Sequence, residues 1–463
     1  MTIPSQPLFA GLRDRYRDGR ETPETVVDRF LGRIAADRDH EIPLNAFLAL
    51  RESQARQEAQ ASSGRWKSGK PLSPLDGIPL AVKDAVNVAG LSTPVGTRFL
   101  GKTPEPRDSE LVRRLKAAGA IILGKTHMHE FGFGATGINP HGMTARNPYD
   151  RRRITGGSSS GSAAAVAAGL VPGAIGTDAG GSVRIPSALC GLTGLKATFG
   201  RIPMDGIGAL TYTMDHAGPM TRTVQDAIEL FEIIATPALN TMPDSARPFT
   251  AGIIDGYCTE TCAPDVSNSV EVALQLLEKA GVKTVRVQIP SALAMHAAGV
   301  VTMGGEAASI LETDWEEHRN EFGGDVRLFT AGARKLAAHE YLRAQRIRTL
   351  VCAEHAAAFQ KADIIITPMT ARTAAFIHAK ALRRGETDPD LVQALSRFSL
   401  PYNLTGLPAL TLPAGTDANG LPVGLQLVAP PNEEIRLLSA ALYTEKVLAD
   451  RCPPPPGWLP PWN

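Results

Sequence analysis

The chain has 463 residues, of which 43% are hydrophobic and 21% are charged, and its formal net charge is +1. These values are typical of a soluble globular protein, and a nearly neutral chain lacks the positive field that attracts nucleic acid or anionic lipid. Without a run of about 20 apolar residues or a secretory leader pattern, we expect a cytoplasmic protein with no nucleic-acid or membrane partner.

The five cysteines are scattered along the chain, at positions 190, 258, 262, 352 and 452. An odd and irregularly spaced set is not typical of a disulfide framework, so a reducing compartment such as the cytosol is the simplest setting. The spacing of Cys258 and Cys262 would suit a metal site or a disulfide, but the sequence has no second pair to complete a metal site.

Helices are predicted in the N-terminal part of the chain, at about residues 5–65. Thr22 and Pro23 indicate a helix start, because threonine caps a helix and proline suits its first turn. Apolar residues then follow at helical spacing from Val26 to Ile34. The polar segment Ser53–Gly64 is predicted to form another helix, on the surface.

From residue 77 onward, short apolar runs alternate with helical patterns. Strands are predicted at Gly77–Asp84, Ala120–Leu123, Ile253–Ile254, Val282–Val287, Ile364–Thr367 and Leu410–Pro413, and helices at Ser109–Ala118, Ser162–Leu170, Val266–Ala280 and His339–His355. This alternation predicts an α/β fold, in which helices flank a mostly parallel or mixed sheet.

We expect a single domain over residues 1–463, with its core at about 70–230 and a helix-rich region at about 265–350. The tail, residues 452–463, reads CPPPPGWLPPWN. So many prolines exclude a helix or a central strand, and we expect the tail to lie across the surface. A contact between two copies of the chain, as in a homodimer, is an alternative use of the tail that stays open.

The most informative segment is residues 155–206, in which two serines each follow a pair of glycines. Ser158 follows Gly156 and Gly157, and Ser182 follows Gly180 and Gly181. Glycine permits a sharp turn and brings backbone N–H groups close to a bound atom. Such N–H groups hold the oxyanion of an acyl-transfer intermediate. Two serines in this setting suggest a nucleophile and a proton relay.

These two turns carry a family resemblance. GGSSSGSAAAVAAG and GTDAGGSVRIPSALCGLTGLK resemble the signature segment of the amidase signature family of serine hydrolases. Further segments resemble the family over about residues 20–450: GIPLAVKD, AAGAIILGKT, RNPYD, DHAGPMTRT and GLPVGLQ. That family uses a lysine, a relay serine preceded by a cis peptide bond, and a nucleophilic serine. The matching positions are Lys83, Ser158 and Ser182.

The resemblance implies one large α/β/α sandwich with a central mixed sheet, and hydrolysis of a small-molecule carboxamide through an acyl-enzyme on Ser182. Ser158 would be the relay and Lys83 the base, and no metal or organic cofactor is required. The oxyanion hole is expected at the backbone N–H groups of Ala179, Gly180, Gly181 and Ser182. Substrate contacts are expected at Phe131, Gly132, Phe133 and Ser159, with further contributions near Thr367–Thr370 and Asn403–Thr405. Asp178 and Arg184 are expected to brace the nucleophile loop.

The charge of Lys83 decides whether it can act as a base. A lysine in water has a pKa near about 10.4 and is protonated at neutral pH. Lys83 ends the apolar run that begins at Ile78, and burial disfavours the ammonium form. Asp84 is adjacent, but on a strand it points to the opposite face, so it need not cancel the effect. We therefore expect Lys83 to be buried with a lowered pKa.

Two other motifs lead to rejected interpretations. Gly119–Thr126 matches the phosphate-loop pattern, but the apolar residues between its glycines form a strand that follows a helix, which is the reverse of the required order. His127 and His129 have the alternate spacing of metal ligands at a strand end, but the other histidines form no matching cluster. We expect neither nucleotide nor metal binding there.

The segment Gly157–Gly161 also matches G-x-S-x-G, the nucleophile elbow of α/β-hydrolase esterases, with Ser159 as nucleophile. That fold needs an aspartate and then a histidine further along the chain. Asp215 and His216 are adjacent and cannot span a relay, and the turn before Ser182 would have no purpose. This alternative ranks low, although other aspartates and histidines keep it open.

A closer alternative is the glutamine-hydrolysing A subunit of a tRNA-dependent amidotransferase, which uses the same three residues. The segments HEFGFG, RNPYD and GPMTRTVQDA resemble that subunit too. Because acidic and basic residues are almost equal in number, the chain lacks the large net positive charge that favours tRNA binding. This favours a free hydrolase. The choice among aryl, aliphatic, urea-type and peptide amides stays open, as does the oligomeric state.

Overall fold

The computed structural model describes residues 7–142, 144–245, 247–257 and 261–463. Its α-helices are α1 Leu8–Arg17, α2 Pro23–Arg38, α3 Glu52–Lys67, α4 Glu110–Ala117, α5 Ser160–Ala167, α6 Arg184–Leu189, α7 Val224–Ile234, α8 Pro264–Lys279, α9 Ala292–Ile310, α10 Glu312–His318, α11 Gly324–Ala333, α12 Ala338–Ala358, α13 Ala379–Arg384, α14 Pro389–Ser396, α15 Leu400–Leu404 and α16 Glu434–Leu448. Its strands are β1 Phe47–Leu50, β2 Pro79–Lys83, β3 Ile121–Thr126, β4 Arg146–Asn147, β5 Asp150–Ile154, β6 Gly173–Asp178, β7 Thr193–Lys196, β8 His216–Thr221, β9 Thr250–Ile254, β10 Lys283–Val287, β11 Ile364–Pro368, β12 Ala409–Thr416 and β13 Pro422–Val428. Cys258 lies outside the described residues, so its proposed pairing with Cys262 is not addressed.

Eleven of these strands form one sheet, in the order β1-β3-β2-β6-β8-β7-β12-β13-β11-β9-β10, while β4 and β5 pair separately. Strands β2, β3 and β6 run parallel, as do β9, β10 and β11. The strands between these two parallel groups pair in an antiparallel manner. The predicted α/β fold with a large mixed sheet flanked by helices is therefore confirmed.

The predicted strands all occur, although their ends move by a few residues. The segment predicted at Gly77–Asp84 is a strand only over Pro79–Lys83, and every residue of it is buried. The apolar residues of the phosphate-loop look-alike do form a strand, β3, and it does follow a helix, α4. The order of these elements therefore excludes a phosphate loop.

The parallel register brings the candidate site to one edge of the sheet. Lys83 at the end of β2 pairs with Thr126 at the end of β3, and Val82 pairs with Ile175 of β6. Strand β6 then continues to Asp178, just before the second Gly-Ser turn. The carboxyl ends of parallel strands meet at the same edge of a sheet, which is where α/β proteins place their sites.

Helix α5 lies against this edge and consists of small residues, all of them buried. It begins at Ser160 rather than at the predicted Ser162, and it ends at Ala167. A side chain at Gly161 would place its Cβ atom 2.3 Å from the backbone oxygen of Ala46. The small residues thus allow the helix backbone to pack directly on the strands and hold the turn that carries Ser158.

The proline-rich tail lies across the N-terminal helices of its own chain, as predicted. Arg33 of α2 donates hydrogen bonds of 2.7 Å each to the backbone oxygens of Pro460 and Asn463. The Trp458 ring is buried and lies 4.6 Å from the guanidinium carbon of Arg222. The homodimer remains a prediction. Among the described helices, none is long and apolar enough to cross a membrane.

We expect Trp458→Ala to lower the free energy of unfolding by about 3 kcal/mol, because the change empties a buried aromatic site. Urea denaturation followed by circular dichroism would measure the loss. Leu459→Ala is the matched control, because Leu459 is 40% exposed and its truncation should cost less than about 0.5 kcal/mol. Equal stabilities for the two variants would contradict a tail that is anchored to the rest of the chain through Trp458.

Candidate active site

Lys83 is fully buried at the end of β2, as expected from the apolar run before it. Its Nζ atom lies 2.7 Å from Ser158 Oγ and 2.6 Å from Thr177 Oγ1. Burial lowers the pKa of Lys83 to about 7, although the carboxylates of Asp215, Asp178 and Asp84 act in the opposite direction. A substantial fraction of the amine is therefore unprotonated at neutral pH, which is what a base requires.

The neighbouring carboxylate, Asp84, faces a different partner. Its Oδ1 atom lies 2.9 Å from Lys125 Nζ, and both side chains are buried. The backbone N–H of Gly96 donates to Oδ2 of Asp84 at 2.9 Å. Lys125 was noticed in the sequence only as the lysine of the false phosphate loop. It lies opposite Val82 in the parallel register of β2 and β3, a pairing that the sequence alone does not reveal.

Ser158 is fully buried and follows a cis peptide bond to Gly157, the feature that the family resemblance implies for the relay serine. Gly157 donates its N–H to the backbone oxygen of Ala135 at 2.8 Å. A Cβ atom on Gly157 would come within 2.5 Å of backbone atoms of Gly134 and Gly137. The glycine is therefore required by close backbone packing, and this packing positions Ser158 under Lys83 Nζ.

Ser182 lies in the second turn, where Gly181 has a φ of 127°, a backbone conformation that favours glycine. Ser182 is 7% exposed and lines a cavity, whereas Ser158 has no exposed area. The two turns are in direct contact, because the Ser159 N–H donates to the Ser182 backbone oxygen at 3.3 Å. The structure thus brings Lys83, Ser158 and the Ser182 loop together.

The Ser182 loop is braced by a buried ion pair, as expected for Asp178 and Arg184. The guanidinium donates two hydrogen bonds to the carboxylate, at 3.0 and 2.9 Å, and neither side chain is exposed. Burial alone would raise the pKa of Asp178, but Arg184 and Asn403 hold it well below its usual range. Arg184 also donates to Gln426 Oε1 and to Asn403 Oδ1, each at 2.7 Å.

Two residues that were expected to contact the substrate, Asn403 and Thr367, belong to this hydrogen-bond network instead. Asn403 donates to the backbone oxygen of Asp178 at 2.8 Å, and Thr367 accepts a hydrogen bond of 2.9 Å from the Gln426 amide. Both side chains are buried in the brace instead of lining the site, and the segments Thr367–Thr370 and Asn403–Thr405 contribute no residue to the cavities described below. Gln426 was not singled out in the sequence, because its role depends on β13 packing against α6.

The expected oxyanion hole also needs a correction. The N–H of Gly181 donates to Asp178 Oδ1 at 2.7 Å, so it is already occupied. Among the described residues, the N–H groups of Ala179, Gly180 and Ser182 form no hydrogen bond. Three of the four expected donors therefore stay available to a carbonyl oxygen.

Two cavities meet at Gly132 and Ala179, beside the Ser182 loop. The larger one, which we call the outer cavity, has a volume of about 420 Å³ and reaches Ser182. Its wall is mainly apolar and includes Phe133, Ile185, Met303, Phe329, Val392 and Leu400. The smaller one, the inner cavity, has a volume of about 130 Å³ and reaches Phe131 and Thr177. The expected contacts at Phe131, Gly132 and Phe133 thus all line a cavity.

Ser159 lines neither cavity, so its expected substrate contact is wrong. It is fully buried, and its Oγ atom donates to the Thr177 backbone oxygen at 3.2 Å and accepts the Thr177 N–H at 3.3 Å. The same burial argues against Ser159 as the nucleophile of an elbow. His216, the nearest candidate base in that alternative, instead bonds the Met214 backbone oxygen and Lys196.

The two histidines rejected as metal ligands have separate surroundings. His129 is buried, and its backbone N–H donates to the Ser158 backbone oxygen at 3.1 Å. Burial lowers the pKa of His129 to about 3 and that of His127 to about 4, so both are neutral at physiological pH. His127 lines a separate surface cavity together with Asn45 and Gly142.

Comparison with known proteins places this geometry in a family. The sequence profile named Amidase matches residues 25–438. The chain belongs to the amidase signature family. The family is one of amide hydrolases, so the prediction of an amidase is confirmed at that level.

Several members of the amidase signature family are similar over most of this chain. A fatty acid amide hydrolase from Medicago truncatula is 38% identical over 94% of this chain and 75% of its own length. The A subunit of a glutamyl-tRNA(Gln) amidotransferase from Myxococcus xanthus is 37% identical over 87% of this chain and 90% of its own length. A crystal structure of an amidase superposes with a TM-score of 0.87, at 32% identity, over 96% of this chain and all of that chain.

The Asp84–Lys125 pair leads to a prediction about Lys83. In the variant Lys125→Met the Asp84 carboxylate is left unpaired beside Lys83, which favours the ammonium form. We expect the pKa of Lys83 to rise by about 1 unit, and to return when Asp84→Asn is added. Nuclear magnetic resonance titration of carbon-13-labelled lysine side chains, assigned with Lys83→Met, would measure it.

The matched control is Lys116→Met. Lys116 lies in α4, is paired with Asp108 and has no contact with this site. This variant should leave the pKa of Lys83 unchanged. A Lys125→Met protein that is folded and has an unchanged Lys83 titration would show that Lys125 has no influence on the charge of Lys83.

Proposed function

We propose that this amidase hydrolyses carboxamides of apolar carboxylic acids, through an acyl-enzyme on Ser182. One observation carries the proposal: the 2.7 Å hydrogen bond between Lys83 and Ser158 lies behind a loop whose own serine opens onto an apolar cavity of about 420 Å³. The hydrogen bond supplies a path for a proton, and the cavity supplies a place for an acyl group.

In the first half of the reaction, unprotonated Lys83 takes the proton of Ser158 while Ser158 takes that of Ser182. Ser182 Oγ then attacks the carbonyl carbon, and the N–H groups of Ala179, Gly180 and Ser182 bind the oxyanion. Collapse of the intermediate breaks the C–N bond, and the proton returns from Lys83 through Ser158 to the leaving nitrogen. The products of this half are the ester on Ser182 and a free amine or ammonia.

In the second half, a water molecule attacks the ester carbonyl. The same relay takes its proton and gives it back to Ser182 Oγ, so that the carboxylic acid leaves and the enzyme is restored. Every step needs Lys83 to alternate between its amine and ammonium forms. A pKa of about 7 suits this alternation, because neither form is then costly to reach near neutral pH.

The outer cavity favours an apolar acyl group over glutamine. Glutamine carries a carboxylate that needs a cationic partner, and neither lysine nor arginine occurs among the described residues that line the outer cavity. Its polar lining residues are Thr136, Ser182, His296, Asp325, Thr387, Gln393 and Ser396. The carboxylate of Asp325 accepts hydrogen bonds from the N–H and the hydroxyl of Thr387. The similarity to fatty acid amide hydrolases agrees with an apolar acyl group. The chain is also similar to amidotransferase A subunits, but its outer cavity lacks a lysine or arginine that could bind the carboxylate of glutamine.

The wall of the outer cavity predicts a dependence on chain length. From acetamide to octanamide we expect kcat/KM to rise by up to about fourfold per added methylene, because each methylene removed from water contributes about 0.8 kcal/mol. Ammonia release from the purified chain would measure it. Val392→Thr, which replaces a methyl group of the wall with a hydroxyl, should reduce this slope. A preference for glutamine over octanamide, or activity that requires a second subunit, would contradict the proposal.

The relay predicts both a pH profile and two inactive variants. Since Lys83 must be unprotonated, kcat/KM should rise with pH along one ionisation near 7 and then level off. Lys83→Met should lower kcat/KM by several orders of magnitude, and Ser182→Ala should abolish turnover with the fold intact. A fluorophosphonate should label Ser182. Label on Ser159, or normal activity in Lys83→Met with loss in His216→Ala, would overturn the assignment.

A further inference from the structure

The inner cavity has no role so far, although it adjoins the relay. Gly132 and Ala179 separate it from the outer cavity, and Thr177 forms part of its wall. Thr177 Oγ1 accepts the hydrogen bond of Lys83 at 2.6 Å, so this part of the inner wall is one side chain away from Lys83. With an acyl group in the outer cavity, the amine side of the substrate is the part left for the inner one.

Two carboxylates line the inner cavity, and they differ in their hydrogen bonds. Asp215 is held in place by the N–H groups of Leu210 and Thr211, at 2.7 and 3.2 Å, and by the Thr211 hydroxyl at 2.6 Å. Asp314, from α10, is half-buried. Within the part of the chain that the structure describes, the Asp314 carboxylate accepts no hydrogen bond and forms no ion pair within 4.0 Å. Burial raises the pKa of Asp314, and the charge of Glu317 adds to this, whereas His318, four residues further along α10, acts in the opposite direction.

The rest of the wall does not compensate for these charges. Most of the wall is apolar, with side chains such as Val95, Leu100, Met128 and Ile310, and no lysine or arginine occurs among its described residues. Lys83 lies across Thr177, hydrogen-bonded to its Oγ1 atom, and is unprotonated when the proposed reaction begins. A carboxylate in a small, largely apolar cavity attracts a cation more strongly than it would in water, and it disfavours an anion.

We infer that the inner cavity binds the amine portion of the substrate and that Asp314 gives the enzyme a preference for leaving amines that carry a second, positively charged amino group. This inference rests on the proposed function, which sets no requirement on the amine. Hydrolysis of such an amide breaks the C–N bond and gives the carboxylic acid and a diamine. Asp314 is a specificity-determining residue in this scheme, and it takes no part in proton transfer.

The test uses three octanamides that differ only in the amine: N-aminoethyl octanamide, its neutral isostere N-propyl octanamide, and N-octanoyl glycine. We expect kcat/KM of the wild-type chain to be about tenfold higher for the aminoethyl than for the propyl amide, and lowest for the glycine conjugate. Asp314→Asn should bring the ratio of aminoethyl to propyl amide close to one. The control is Glu312→Gln, because Glu312 is exposed on the same helix and does not line the inner cavity, and it should keep the wild-type ratio.

Binding provides a second readout that does not depend on turnover. Calorimetric titration of Ser182→Ala should give a Kd about tenfold lower for the aminoethyl amide than for the propyl amide, and Asp314→Asn in that background should remove the difference. Equal Kd values, or an equal loss in Glu312→Gln, would overturn the inference. Octanamide separates the two proposals: if it is hydrolysed but the amine preference is absent, only the inner-cavity assignment fails, and if it is not hydrolysed, the proposed function fails.

Discussion

A lysine buried without a carboxylate partner of its own is the constraint on which the rest of this site depends. Moving an ammonium group out of water is costly, and the cost is avoided when the amine is neutral and its hydrogen bonds are made. Lys83 meets both conditions through Ser158 and Thr177. Asp215, Asp178 and Asp84 each favour the ammonium form of Lys83. If these three carboxylates were unpaired, they would raise the pKa of Lys83 again.

Each of those aspartates is occupied by another group. Lys125 pairs with Asp84, Arg184 pairs with Asp178, and backbone N–H groups together with a threonine hydroxyl hold Asp215. Two buried ion pairs beside this candidate site are weak contributors to stability, because desolvation offsets most of their attraction. Their effect here is electrostatic and geometric: they screen Lys83, and the Asp178–Arg184 pair also shapes the loop that presents Ser182.

Close packing of the backbone around Ser158 is the second constraint on this site. Gly157 and Gly161 allow the turn and the helix around Ser158 to lie against neighbouring backbone without a side chain between them. The backbone around Ser158 is therefore closely packed, while the Ser182 loop lies beside two cavities that share only Gly132 and Ala179 in their walls. In the proposed reaction, this arrangement would allow the binding of each half of the substrate to change without a change in the chemistry.

The sequence by itself determined the α/β class and the strands with uninterrupted apolar runs such as β2 and β3, because local patterns encode these features directly. The assignment of Lys83, Ser158 and Ser182 came from the resemblance to the amidase signature family and stays a prediction, although Lys83 does lie beside Ser158. The sequence did not indicate β8, whose residues His216–Thr221 include a glycine and a proline that disfavour a strand when read locally; burial between β6 and β7 overrides that preference. Only the tertiary structure decided the roles of Lys125, Asn403 and Gln426, and the burial of Ser159. These features depend on which side chains are in contact across a sheet or between distant segments. Such tertiary contacts produce no recognisable pattern along the sequence.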